Sequence, residues 1–147
     1  MTVLFQKLDP SAQLPRRATA SSAGYDLCAC VRQPVTVEPG QTVSIPTGLA
    51  MALPQGYGGF IFARSGLGIR HGIVPGNCVG VIDADYRGEV LVGLHNHSDA
   101  PYTIQPGDRI AQLVVLDVLF QEYFHRNRET CQETIQNIAS ALSGMHV

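Results

Sequence analysis

The sequence predicts an all-β fold, a sandwich or barrel, and three observations carry that prediction. Apolar runs are short and recur at regular spacing along most of the chain. Fifteen Gly and nine Pro are spread among them as turn punctuation. No helical period interrupts the series before residue 122.

The elements follow in order. Val3 to Leu8 reads as an opening strand, and Pro10 to Ser22 as a polar loop with Pro15, Arg16 and Arg17 exposed. Tyr25 to Leu27 is strand-like, with Asp26 an unusual strand residue. Val35 to Val37 is followed by the turn Glu38-Pro39-Gly40. Thr42 to Ile45 and Gly48 to Leu53 read as two runs broken at Pro46. Tyr57 to Phe62 follows Pro54-Gln55-Gly56. Val79 to Ile82 and Glu89 to Leu94 flank a polar tip, which reads as a hairpin. Tyr102 to Ile104 precedes Pro106-Gly107, and Arg109 to Leu119 is the longest apolar run.

The tail differs. Its apolar residues, Phe124, Cys131, Ile135, Ile138 and Leu142, fall on one helical face, and Gly144 suits a helix stop. The spacing predicts an amphipathic helix over Glu122 to Ser143. The expected division is a β domain over 1–119 and a helical tail over 120–147.

At 147 residues the chain is long enough to bury a core without disulfides or metals. Charged residues make up 15% and the net charge is -2, which suggests neither a nucleic-acid nor a membrane partner. No apolar run approaches the length of a membrane span. Cys28 and Cys30 are too close for the usual zinc pair, and no secretory pattern precedes the chain. Reduced thiols in a cytosolic protein are therefore expected. The five His form no metal pattern, although His95 and His97 would share a strand face.

Four segments carry chemistry: Ala23 to Leu27, Ala63 to Gly68, Gly80 to Gly88 and Gly107 to Leu113. Arg64-Ser65-Gly66 sets a fixed cation, a hydroxyl and a permissive backbone N–H side by side, which suits phosphate oxygens; it also suits a solvated turn. Asp83, Asp85 and Tyr86 suit a base pocket in which a carboxylate takes a proton from water, or simply a turn. Gln112 suits a phosphate or solvent. Asp26 suits a structural hydrogen bond as well as catalysis. Arg109 is explained by the turn and strand it opens.

Taken in order, these segments resemble the trimeric dUTPase family, from Val3 to Val118, linking text such as His71-Gly72-Ile73-Val74 included. The Ser-Gly-Leu-Gly-x-x-His-Gly-Ile stretch from Ser65 to Ile73 resembles the bacterial branch. The resemblance implies a β jelly roll, a homotrimer with active sites at subunit interfaces, and dUTP as substrate. It implies that Asp83 activates the water attacking the α-phosphorus and that Tyr86 packs on the deoxyribose. Asn77, Val81, Ile82, Asp83 and Leu91 would form the uracil slot, and Arg64, Ser65, Gly66 and Gln112 the phosphate contacts. Mg²⁺ would be held by phosphates and water rather than by side chains. One part departs from the family. Its Gly-rich C-terminal arm, Arg-Gly followed by Gly-Phe-Gly-Ser-Thr-Gly, has no counterpart between Gln121 and Val147. The expectation is an active diphosphatase; the alternative is a nucleotide-binding or regulatory protein of the same fold with little turnover.

Overall fold

The structure, a computed structural model, describes residues 2–117, 127, 130, 132–134 and 136–137. The chain divides into two units, Met1–Leu116 and Asp117–Val147.

The first unit is all-β with one short helix. Its strands are β1 (Leu4–Lys7), β2 (Tyr25–Cys28), β3 (Val35–Val37), β4 (Thr42–Ala52) and β5 (Tyr57–Phe62), then helix α1 (Ser65–His71), then β6 (Ile73–Pro75), β7 (Gly80–Ile82), β8 (Glu89–Asn96), β9 (Tyr102–Ile104) and β10 (Arg109–Asp117). They form a sheet ordered β1-β4-β8-β6, a second ordered β2-β10-β5-β7, and a two-stranded ribbon of β3 and β9. No two consecutive strands among these pair with each other. The chain passes from sheet to sheet, as in a jelly roll, and every ladder joins distant segments.

Alternation explains the layering. Along β8, Val90, Val92, Leu94 and Asn96 are buried, while Glu89, Leu91, Gly93 and His95 face outward. Leu27, Ile45, Leu49, Ile73, Leu94, Ile104, Ile110 and Leu113 from both sheets and the ribbon fill the core. The buried Asn96 is fully satisfied: Nδ2 donates to the Val37 and Ala100 carbonyls at 2.9 and 2.8 Å, and Oδ1 accepts from the Ser98 N–H and hydroxyl. That side chain ties the end of β8 to the ribbon strand β3.

Two expectations need correction, and two elements were not foreseen. Pro46 does not break the chain into two strands, because β4 runs through it. Its ladder to β8 shifts register between Pro46 and Ala50, so the missing proline N–H falls at an irregularity. Gly48, at φ 66°, makes that bend, and its N–H is held by Glu89 Oε1 at 2.8 Å. The expected hairpin at residues 83–88 is not one either. β7 pairs with β5 and β8 with β4 and β6, so this six-residue segment crosses between sheets. Such a link is longer than the usual hairpin loop. Lastly, α1 and β6 were not expected. Helix α1 holds two glycines and is weak by propensity. It stands on the buried Leu67 and stops at Gly72, whose φ of 68° lets its N–H cap the Gly68 carbonyl.

In the tail, the described positions 130, 132–134 and 136–137 are helical, and the Thr134 hydroxyl donates to the Thr130 carbonyl at 2.9 Å. The rest of the expected helix over Glu122 to Ser143, and the end of the expected run at 118–119, lie outside the described residues.

Candidate active site

The second sheet carries a cationic cluster near one edge. Asp26 on β2 stands opposite Gln112 on β10, so their side chains share a face. Asp26 is only 6% exposed, and an ionised carboxylate at that depth needs partners. It has three. Arg64 Nε donates to Oδ1 at 2.9 Å, Arg109 Nη1 donates to Oδ2 at 3.1 Å, and Gln112 Nε2 approaches Oδ1 at 3.4 Å. Arg64 Nη1 also donates to the Arg109 carbonyl at 3.1 Å, joining the segment after β5 to the start of β10. Two guanidiniums against one carboxylate leave the cluster a net positive charge. Each guanidinium has five N–H donors, and most of these are not used by the protein contacts named.

Ser65 opens α1 directly after Arg64, which is extended at φ −85° and ψ 126°. Nothing lies within 4 Å of the position a Gly66 Cβ would take, so its backbone is open to approach. A cavity of about 220 Å³ beside the cluster is lined by Arg64, Gly66, His71, Tyr102, Asp108 and Arg109 among others. Burial pushes the Tyr102 hydroxyl pKa up, and the Asp108 carboxylate adds to the rise. Cys28, two residues from Asp26, has its thiol pKa raised first by burial and then by the Asp26 charge.

A slot lies at the other edge of the same sheet. β7 is its last strand, so one row of its backbone N–H and C=O groups faces away from the ladder. The slot, about 190 Å³, is lined by Asn77, Val81, Ile82, Asp83, Tyr86 and Leu91 among others. Ile82 turns its side chain into the core, whereas Val81 is 65% exposed. Asp83 is exposed, and its carbonyl accepts from the Tyr86 N–H at 3.1 Å in a tight turn. Tyr86 is pinned by its hydroxyl, which donates to the Glu89 carbonyl at 2.9 Å. Its ring lies over Gly88, where a Cβ would stand 2.5 Å from the hydroxyl oxygen. Arg87 Nη1 donates to the Ala84 and Tyr86 carbonyls, each at 2.8 Å, which stiffens the turn.

The sequence-predicted residues thus form two groups. Asn77, Val81, Ile82, Asp83, Tyr86 and Leu91 share the slot. Arg64 and Gly66 share the other cavity, and Gln112 joins them through Asp26. Ser65 adjoins that group in sequence without lining the cavity. Within the first unit the two groups line separate cavities. The sequence reading left Asp26 open and missed Arg109. The available signal was an Asp in a strand, since a buried carboxylate implies a cation nearby. Among the described residues, no three His, Cys, Asp or Glu gather as metal ligands, and no helix is long and apolar enough to cross a membrane.

A jelly-roll-like fold with a cationic cluster and a backbone-edged slot on one sheet defines a protein suited to a polyanionic ligand with a planar group. The family model for dUTPase matches residues 10–141, and the chain belongs to the dUTPase family. It is 49% identical over 123 residues to a deoxyuridine 5'-triphosphate nucleotidohydrolase of Desulfitobacterium hafniense, covering 83% of this chain and 82% of that one. It is 53% identical over 118 residues to the protein of the same name from Idiomarina loihiensis, covering 80% and 78%. Among solved structures, a mutant dUTPase from phage phi11 of S. aureus, described with a structural Mg(II) ion, aligns with a TM-score of 0.71 at 29% identity, covering 80% of this chain and 91% of that one. A mutant dUTPase of Staphylococcus bacteriophage 80alpha with dUpNHpp aligns with a TM-score of 0.72 at 28% identity, covering 79% and 82%.

Proposed function

We propose that this protein is a dUTP diphosphatase, hydrolysing dUTP to dUMP and pyrophosphate by water attack on the α-phosphorus. In the cell this would limit uracil incorporation into DNA and supply dUMP for dTMP synthesis. The observation that carries the reading is the exposed Asp83 in a slot bordered by the edge strand β7, on the same sheet as a cluster of cationic donors.

Asp83 orients the water and takes its proton as the new P–O bond forms. The backbone of Val81, Ile82 and Asp83 pairs with the uracil edge, with Asn77 and Leu91 beside the base. Cytosine would leave buried groups there unpaired. Tyr86, held by Glu89, packs on the deoxyribose and leaves no room for a 2′-hydroxyl. Arg64, Ser65, Gly66 and Gln112 contact the phosphates. Catalysis of this kind rests on positioning and charge neutralisation.

The donor set fits Mg²⁺ as an ion carried on the nucleotide, because among the described residues the phosphate side offers arginines and an amide rather than clustered carboxylates. Held by the phosphates and water, it would neutralise charge on the departing pyrophosphate. A homotrimer with active sites at subunit interfaces is what the family resemblance implies, and two separate cavities within one chain are compatible with one chain's cluster meeting another chain's slot. Residues 1–119 form the enzymatic domain in this reading, and 120–147 an atypical tail in place of the Gly-rich arm. The partners are dUTP and further copies of the chain, with no nucleic acid and no membrane, and the location is cytoplasmic.

The test is pyrophosphate release from dUTP with Mg²⁺, with dCTP, dTTP and UTP as controls. Release from dUTP alone is expected. Absence of release despite dUTP binding would overturn the assignment as an enzyme.

A further inference from the structure

We propose that Glu89 is a positioning residue for sugar selection: its carboxylate locks the irregular stretch of β4, and its backbone carbonyl, fixed by that lock, holds the Tyr86 ring in place. The proposal rests on the diphosphatase reading, in which Tyr86 packs on the deoxyribose, and adds a residue to it.

Pro46 lies within β4 and has no N–H, and the ladder from β4 to β8 shifts register between Pro46 and Ala50. Gly48 is buried inside that irregularity, at φ 66°. A buried backbone N–H left unpaired is costly. The Gly48 N–H donates to Glu89 Oε1 at 2.8 Å, a bond between residues 41 apart in sequence. The Gly48 carbonyl is tied as well, since it accepts the Leu8 N–H at 2.8 Å. A Cβ at Gly48 would stand 2.7 Å from Cys30 Sγ and 2.8 Å from Ala12 Cβ, so this stretch is closely packed on its other side. The partner of the Glu89 carboxylate here is a neutral N–H. The contact therefore calls for an acceptor of that reach rather than for a charge.

Glu89 also opens β8, directly after the crossing segment that carries Asp83 and Tyr86, and it lines the slot itself. Its main chain meets Ala50 just past the irregularity, and its carbonyl accepts the Tyr86 hydroxyl at 2.9 Å. The next carbonyl, that of Val90, accepts from the fully buried Thr47 hydroxyl at 2.7 Å. The first two residues of β8 are thus fastened to the irregular stretch of β4 by two side-chain bonds. Tyr86 is 44% exposed, so packing holds its ring on one side only and the hydroxyl bond sets where it stands. One residue joins the two: its carboxylate reaches Gly48, and its carbonyl receives Tyr86.

The experiment measures the ratio of kcat/KM for dUTP to that for UTP, with a urea midpoint for each protein. It compares wild type with Glu89→Ala, Glu89→Gln, Glu89→Asp, Tyr86→Phe and the double variant of Glu89→Ala with Tyr86→Phe. Preference of wild type for dUTP over UTP is the control, and its failure would count against the diphosphatase reading rather than against Glu89. Tyr86→Phe removes the hydroxyl bond and should lower the ratio about three- to tenfold, the size of one net hydrogen bond. Glu89→Ala should lower it by a similar factor. The double variant should lose no more than either single variant, because both cut the same link. Glu89→Gln keeps an acceptor of the same reach and should retain the wild-type ratio. Glu89→Asp draws the oxygen back by one methylene and should show the loss, so it decides the matter should the Ala variant not fold. A lowered midpoint with an unchanged ratio in Glu89→Ala or Glu89→Asp would make Glu89 merely structural and overturn the proposal. An unchanged ratio in Tyr86→Phe, additive losses in the double variant, or a loss in Glu89→Gln equal to that in Glu89→Ala would overturn it too.

Discussion

The cationic cluster and the slot belong to one sheet, yet they are built on opposite plans. The cluster sits at the β2-β10 side and the slot at the β7 edge, three strand spacings or roughly 14 Å apart. The cluster is assembled before any ligand arrives: its arginines already bond a buried carboxylate. The slot instead leaves the outer edge of β7 without a neighbouring strand among the described residues, and an Asp exposed. The difference follows from what each must hold. Cations gathered for a polyanion repel one another and need an internal counter-charge. A base is read by backbone groups that must stay free until it binds. The rigid half is therefore made of side chains, and the open half of main chain.

The largest expected effect tests the slot. Asp83→Asn should lower kcat by about 10²- to 10⁴-fold, the usual worth of a positioned general base, and leave KM nearly unchanged. Pyrophosphate release under saturating and limiting dUTP separates the two. A change confined to KM would make the slot a binding element only. The next effect tests the cluster. Arg64→Ala removes a charged hydrogen bond from Asp26 and should lower stability by about 1.5–3 kcal/mol, read in urea, besides raising KM for dUTP. Equal stability with raised KM would mean that the cluster is not preassembled in solution.

The same contrast explains what the sequence disclosed. The slot residues lie within one local stretch, Asn77 to Leu91, and share one cavity. The cluster draws on β2, the turn after β5 and β10, and nothing local in Arg109 announces a partner 83 residues away. Alternation and Gly-Pro punctuation made most strands legible, because a half-buried strand has to alternate. Pairing was not legible. Alternation says which face is buried but not which strand lies alongside, so the link from Ile82 to Glu89 read as a hairpin although it crosses between sheets. Pro46 read as a break because its lost N–H is visible in sequence while the irregular register that absorbs it is not. Helix α1 was missed because its stability comes from Leu67 and the Gly72 cap rather than from propensity.

A smaller effect sharpens the comparison within the slot. A methyl at Gly88 would meet the Tyr86 hydroxyl at 2.5 Å and Cζ at 2.7 Å. Those atoms are the far end of a side chain 44% exposed, so the ring can move aside while the backbone stays, at the loss of the hydroxyl's bond to the Glu89 carbonyl. Gly88→Ala should then cost less than about 1 kcal/mol in stability, below the usual overpacking cost in a core. Its consequence should fall on selectivity, with the ratio of dUTP to UTP turnover reduced because the displaced ring no longer screens the 2′ position. An unchanged ratio would remove Tyr86 from the sugar-selecting role.

The smallest effect returns to the cluster, through the thiol beside it. Cys28 follows Asp26 by two residues, and burial first and the Asp26 charge second raise its pKa above the ordinary 9.0. Arg109, Arg64 and Arg16 oppose that rise without cancelling it. The folded protein therefore holds the thiol proton more tightly than the unfolded chain does. The associated stability is complete below pH 9.0 and is lost as the pH climbs through the folded value. Tyr102 behaves in the same sense from its own ordinary value of 10.0, raised by burial and then by Asp108. Urea midpoints measured from pH 8 upward should fall in both wild type and Cys28→Ser, with the serine variant lacking the earlier part of the decline. If Asp26 is also changed to Asn, the thiol loses one cause of its raised pKa, and the thiol-dependent decline should shrink but persist. A decline that stayed the same size in Asp26→Asn would mean that burial alone sets the thiol, and that the carboxylate charge is spent on its arginines.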